Sequence, residues 1–87
     1  MLETIDKKTG VIRQEYKERD VQEFRKKMEE SGYIDKKYAG NRVVRYIVRY
    51  KDCVIEARSL TERTILFSTD KDTMTAFYED IMGEQCV

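Results

Sequence analysis

Two runs rich in β-branched and aromatic residues, Arg42-Val43-Val44-Arg45-Tyr46-Ile47-Val48-Arg49-Tyr50 and Cys53-Val54-Ile55-Glu56-Ala57-Arg58-Ser59, stand only two residues apart. This spacing constrains the chain more than any other feature. Each run is long enough for one strand, and a two-residue connection permits only an antiparallel hairpin. With Lys51-Asp52 as the turn, Tyr50 opposes Cys53, Val48 opposes Ile55, Tyr46 opposes Ala57 and Val44 opposes Ser59, all on one side. That side reads as the core. The opposite side carries Val43, Arg45, Ile47 and Arg49 on one strand and Val54, Glu56, Arg58 and Leu60 on the other. It is a mixed apolar and arginine-rich surface.

The remaining elements are arranged around this hairpin. Residues 2–5 and 11–16 are predicted as strands joined through Asp6-Lys7-Lys8-Thr9-Gly10, where Asp6 bonds the turn's backbone and Gly10 takes the left-handed position. Val21, Phe24 and Met28 fall at helical spacing within residues 18–31, and Gly32 follows as a C-cap. Residues 34–40 (Ile34-Asp35-Lys36-Lys37-Tyr38-Ala39-Gly40) are read as a loop, and residues 63–68 as a further strand. Ser68, Thr69 and Asp70 offer N-cap oxygens for a second helix, whose stripe of Met74, Phe77, Tyr78, Ile81 and Met82 ends at Gly83. The expected class is α+β, a small antiparallel sheet with two helices packed on one face in the order ββ-α-βββ-α. One domain is expected over 1–87: an N-terminal hairpin (1–17), an α-βββ-α core (18–83) and a tail (84–87).

Composition narrows the function classes. At 87 residues the chain holds one modest core. Its 17 basic and 17 acidic residues cancel, so a whole-surface DNA mimic, which would be strongly acidic, is not expected. The charges are nevertheless segregated. Residues 36–63 carry eight basic and three acidic side chains, whereas residues 68–87 carry one basic and five acidic: Asp70, Asp72, Glu79, Asp80 and Glu84. No stretch approaches the roughly 20 apolar residues of a membrane span, and the opening residues lack the basic and apolar regions of a signal peptide. Cys53 and Cys86 read as reduced thiols, so the cytoplasm is the expected compartment.

The chain has no histidine, the commonest general base and metal ligand. Ser31, Ser59 and Ser68 therefore lack an activating partner, and Cys53 points into the predicted core. The string Asp52-Cys53-Val54-Ile55-Glu56-Ala57-Arg58 has a distant likeness to the metal-binding strand of restriction-type nucleases. There Arg58 stands where a lysine base is needed, and pairing of Glu56 with Arg45 or Arg58 is the simpler reading. Asp70-Lys71-Asp72 begins like a calcium loop but has Thr75 in place of its glycine and Ile81 in place of its closing glutamate. Those two acids suit a helix N-terminus. A non-enzyme without cofactor or metal is expected.

Two resemblances bear on function. From residue 18 to 83 the element order resembles that of the double-stranded RNA-binding domain, whose lysine cluster at the start of the last helix is here Asp70-Lys71-Asp72-Thr73. Nucleic-acid binding would therefore use the sheet, through Arg45, Arg49, Arg58 and Arg63. In size and element order the chain also resembles small phage- or mobile-element-encoded inhibitors of the anti-CRISPR kind. That likeness implies occupation of a partner's functional surface, in the host cell's cytoplasm, and carries over no residues. The expectation is a protein-binding module acting on another protein such as a nucleoprotein complex, or on a second copy of itself, with nucleic acid as the alternative. Its expected partner-binding residues are Arg45, Ile47, Arg49, Val54, Glu56 and Arg58, with Asp70, Asp72, Glu79 and Asp80 as a secondary acidic surface. The face around Ile47 should be covered by the N-terminal hairpin or by a partner, and a partner is expected because Arg45 and Arg49 flank Ile47.

Overall fold

A computed structural model of the chain describes residues 1–83. The predicted tail, with Glu84 and Cys86, lies outside the described residues. Six antiparallel strands form one sheet: β1 (Leu2–Ile5), β2 (Ile12–Lys17), β3 (Ile34–Ala39), β4 (Val44–Tyr50), β5 (Cys53–Ser59) and β6 (Arg63–Ser68). Helix α1 (Val21–Glu30) separates β2 from β3, and α2 (Lys71–Met82) follows β6. The α+β class and the packing of both helices on one face agree with the sequence reading.

The strand order is β1-β2-β6-β5-β4-β3, which settles two expectations. Residues 34–39, read as a loop, form the edge strand β3 on β4, with a register shift between Ile34 and Lys36. The element order is thus ββ-α-ββββ-α. The N-terminal hairpin, in turn, covers neither face: β2 pairs with β6 from Ile12↔Ser68 to Lys17↔Arg63 and extends the sheet sideways.

Between β4 and β5 the register runs from Val44↔Ser59 to Tyr50↔Cys53, as the two-residue turn requires. Lys51 and Asp52 take φ of 50° and 63°, the left-handed pair that matches the twist of a tight hairpin. Val44, Tyr46, Val48, Tyr50, Ile55 and Ala57 therefore share one face with Ile12 and Leu66, and there they meet Phe24 and Met28 of α1 and Met74, Phe77 and Ile81 of α2 in a single buried cluster. The α2 stripe thus packs where the sequence placed it.

Local chemistry fixes the helix ends. Asp20 caps α1, its Oδ1 accepting from the amides of Gln22 and Glu23, each at 3.1 Å. The helix begins at Val21, the first of its periodic apolar residues and three residues inside the predicted span of 18–31. Asp70 caps α2 through the Thr73 amide, and Gly83 closes it at φ 67°.

Candidate functional site

Because both helices lie on one face, the other is a sheet surface with no backbone element across it among the described residues. Strand pairing assembles that face in two long rows. One runs Lys36, Ile47, Glu56, Phe67, Arg13, Thr4; the next runs Tyr38, Arg45, Arg58, Ile65, Glu15, Leu2. Beside them lie the pairs Arg49↔Val54 and Lys17↔Arg63. All six predicted partner-binding residues, Arg45, Ile47, Arg49, Val54, Glu56 and Arg58, are here.

The surface is a lattice of shared charges. Glu56 accepts from Arg58 at 2.7 Å and pairs with Arg45 at 3.1 Å. Glu15 repeats this arrangement with Arg63 at 2.9 Å and Arg13 at 3.0 Å. The hydrogen bond from Arg63, joined by that from Arg13, holds the Glu15 carboxyl below the usual carboxylate value against the opposing effect of its desolvation. Asp35, at the register shift of β3, lies 3.7 Å from Arg49. Aromatic rings hold the same cations from below: Arg45 lies 4.8 Å over Tyr38, and Arg58 lies 4.7 Å over Phe67.

With Lys17 and Lys36 the face holds seven bases against the three acids Glu15, Asp35 and Glu56, so it stays positive after pairing. Its apolar part is interleaved. Ile65 is only 7% exposed, Ile47 and Phe67 are half-buried, and Val54 is 51% exposed. This mixture of fixed guanidinium groups, carboxylates and aliphatic side chains presents rigid polar contacts around apolar anchors.

Two shallow depressions border the face. One, of about 620 Å³, lies among Glu15, Lys17, Glu18, Leu60, Glu62 and Arg63 where β2 ends and β6 begins. The other, of about 490 Å³, lies beside the first hairpin and is lined by Thr4, Ile5, Asp6, Thr9, Val11, Arg13 and Phe67.

The acidic residues of α2 have other duties in part. Asp70 is a cap, and the Thr73 amide that it accepts keeps its carboxyl below the ordinary range. Asp80 accepts from the phenols of Tyr33 at 2.9 Å and Tyr50 at 3.0 Å, tying α2 to β4. Asp72 and Glu79 are exposed. The nuclease-like Glu56 is bound by two guanidinium groups, an ion-pair arrangement. Among the described residues no group of three or more metal-ligating side chains comes together, and no helix is long and apolar enough to cross a membrane.

The sequence reading missed Arg13, Glu15, Ile65 and Phe67 at this site. Their alternation was visible in the two strands, but their place on this face follows from the β5–β6 and β2–β6 registers.

What these features define is an open-faced α+β sheet with a charged, partly apolar surface. The chain matches no family model, and neither a curated protein nor a solved structure shows significant similarity to it.

Proposed function

We propose that this protein is a small non-enzymatic binding module that lays its helix-free sheet face on another protein and blocks a functional surface of a larger nucleoprotein or defence enzyme. The observation that carries this reading is the lattice of arginines held on that face by carboxylates and rings around Ile47, Ile65 and Phe67. Guanidinium groups already fixed by neighbours lose little freedom on association, and arginine beside apolar anchors is the composition of interface centres. Glu15 and Glu56, at the middle of the face, oppose a run of phosphates. A phage or another mobile element is a fitting source for such an inhibitor, and the cytoplasm a fitting place of action.

Nucleic-acid binding is the second reading, favoured by the excess of bases over acids on the same face. One pair of measurements separates the two. A photo-crosslinking residue at position 54 should capture a single protein species in host extract. Capture should vanish in Arg45→Glu/Arg49→Glu, whose circular dichroism stays native. Crosslinking at Asp72, on α2, should not give that species. A mobility shift with generic duplex or single strands that weakens steeply with salt and is lost in the same double variant would overturn the protein-binding reading.

A further inference from the structure

The two edges of the sheet differ. At β3 the edge carries Lys36 and Lys37 and is broken by the register shift at Asp35, devices that discourage pairing with another strand. At β1 there is none of this. Its four residues Leu2-Glu3-Thr4-Ile5 keep an unbroken register with β2, and the strand has no lysine and no bulge. Leu2 and Ile5, respectively 67% and 57% exposed, are among the most exposed large apolar side chains of the chain.

The hydrogen-bond phase of this edge follows from the turn. The Asp6 amide donates to the Val11 carbonyl at 2.9 Å, and bonded and non-bonded pairs alternate along an antiparallel ladder. Thr4 and Leu2 thus direct their backbone groups to β2, while Glu3 and Ile5 direct theirs outward. We infer that β1 pairs antiparallel with β1 of a second copy about a two-fold axis at Thr4, joining the two sheets into one.

Of the two registers centred on the middle of β1, only one avoids conflict. Centred on Thr4, it sets Glu3 opposite the second copy's Ile5 in bonded pairs and Thr4 opposite Thr4 in a non-bonded pair. Centred on Glu3, it would set two glutamates face to face, which destabilises a cross-strand pair. The favoured register also places Leu2 opposite Asp6 on the helix-free face. There it lies beside the second copy's depression of about 490 Å³ lined by Thr4, Thr9, Val11 and Phe67, so each copy offers the other an apolar side chain and a place to seat it. A two-fold axis makes this contact closed and self-limiting. The arginine lattices of the two copies then lie on the same side of a continuous sheet. This pairing is independent of what that surface binds.

Sedimentation of the full chain over a concentration series is the first test, with the average mass expected to rise toward double the 10.4 kDa of one chain. Ile5→Pro removes an outward donor and no bond of the β1–β2 ladder, so it should hold the protein at single-chain mass with its melting transition retained. The register is tested separately with Cys53 and Cys86 replaced by serine. Thr4→Cys should then form a disulfide-linked dimer under mild oxidation, since cross-strand Cβ atoms in a non-bonded pair stand about 4.5–5.5 Å apart, whereas Leu2→Cys should crosslink much less. A mass of one chain at every concentration, a dimer that persists in Ile5→Pro, or equal crosslinking at positions 2 and 4 would each overturn the pairing.

Discussion

Phe77 shows how much one residue holds in a domain of this size. It is fully buried, with ring centroids 5.4 Å from Tyr50 and 6.2 Å from Tyr33 in edge-to-face contacts, and such contacts add to what burial alone contributes. It projects from α2 onto Tyr50 of β4 within the buried cluster, where its truncation would leave a void. Phe77→Ala should therefore cost about 3–5 kcal/mol, a large part of the roughly 5–15 kcal/mol typical of whole domains. Denaturant melts give the difference directly, and overlapping curves for the two proteins would refute the packing. Tyr46, on the same face, is also buried. Its burial and the neighbouring Glu29 carboxylate push the phenol up to about 12, so this hydroxyl stays a hydrogen-bond donor, 3.2 Å from that carboxylate, at any physiological pH.

At the level of elements, each start and stop has a local cause, and these causes were unequally visible. The β4–β5 hairpin was legible because its alternation continues on both sides of a turn too short to allow another pairing. Helix α2 was legible because its apolar stripe lies between a capping Asp70 and a left-handed Gly83. The start of α1 was less so, since Glu18 and Arg19 suit a helix as well as Asp20 does, and only the bonds that Asp20 accepts from two amides decide the boundary. Asp20→Ala should consequently cost about 1 kcal/mol, seen as an earlier thermal midpoint with unchanged secondary structure, and no shift would mean that the cap is dispensable. Strand β3 was not legible. As an edge it buries nothing fully, its register shift interrupts the period of two, and Asp35-Lys36-Lys37 has the composition of a turn. The same limit applies to the candidate site. Arg45, Ile47, Arg49, Val54, Glu56 and Arg58 belong to one local hairpin and could be placed together from sequence. Arg13 and Glu15 reach the face through β2–β6, a pairing between distant parts of the chain that no short-range pattern announces.

Across the whole molecule the ionisable groups define a range of pH in which the fold is most stable. Hydrogen bonds from Gln14 to Glu3, Arg63 to Glu15, Lys37 to Glu29 and the Thr73 amide to Asp70 hold these carboxyls below their ordinary values of 4.5 and 3.8. Folding therefore favours their charged forms. That stability is complete above the unfolded values and is lost as pH falls from there through the lower folded values. Burial raises Tyr16, Tyr46 and Tyr50 above 10.0, and the bond to Asp80 raises Tyr33, so their contribution is complete below pH 10 and is lost as pH rises beyond it. Calorimetry should give a melting temperature nearly level from about pH 5 to 9 that falls on both sides, with a shallow acid limb because Glu3, Glu29 and Asp70 are exposed and screened. A midpoint that rises below pH 4 would contradict these assignments. The pairing of β2 with β6 also governs the order of events in time. From α1 to α2 each strand meets its predecessor, so that part can assemble through short loops, whereas Ile12 reaches Ser68 only after nearly the whole chain is in place. During synthesis the first hairpin must wait, with Ile12 and Tyr16 uncovered, until β6 has left the ribosome. Completion of the sheet is thus expected to be the slow, late step of folding, and the interval before it to be when the chain is most open to misassociation.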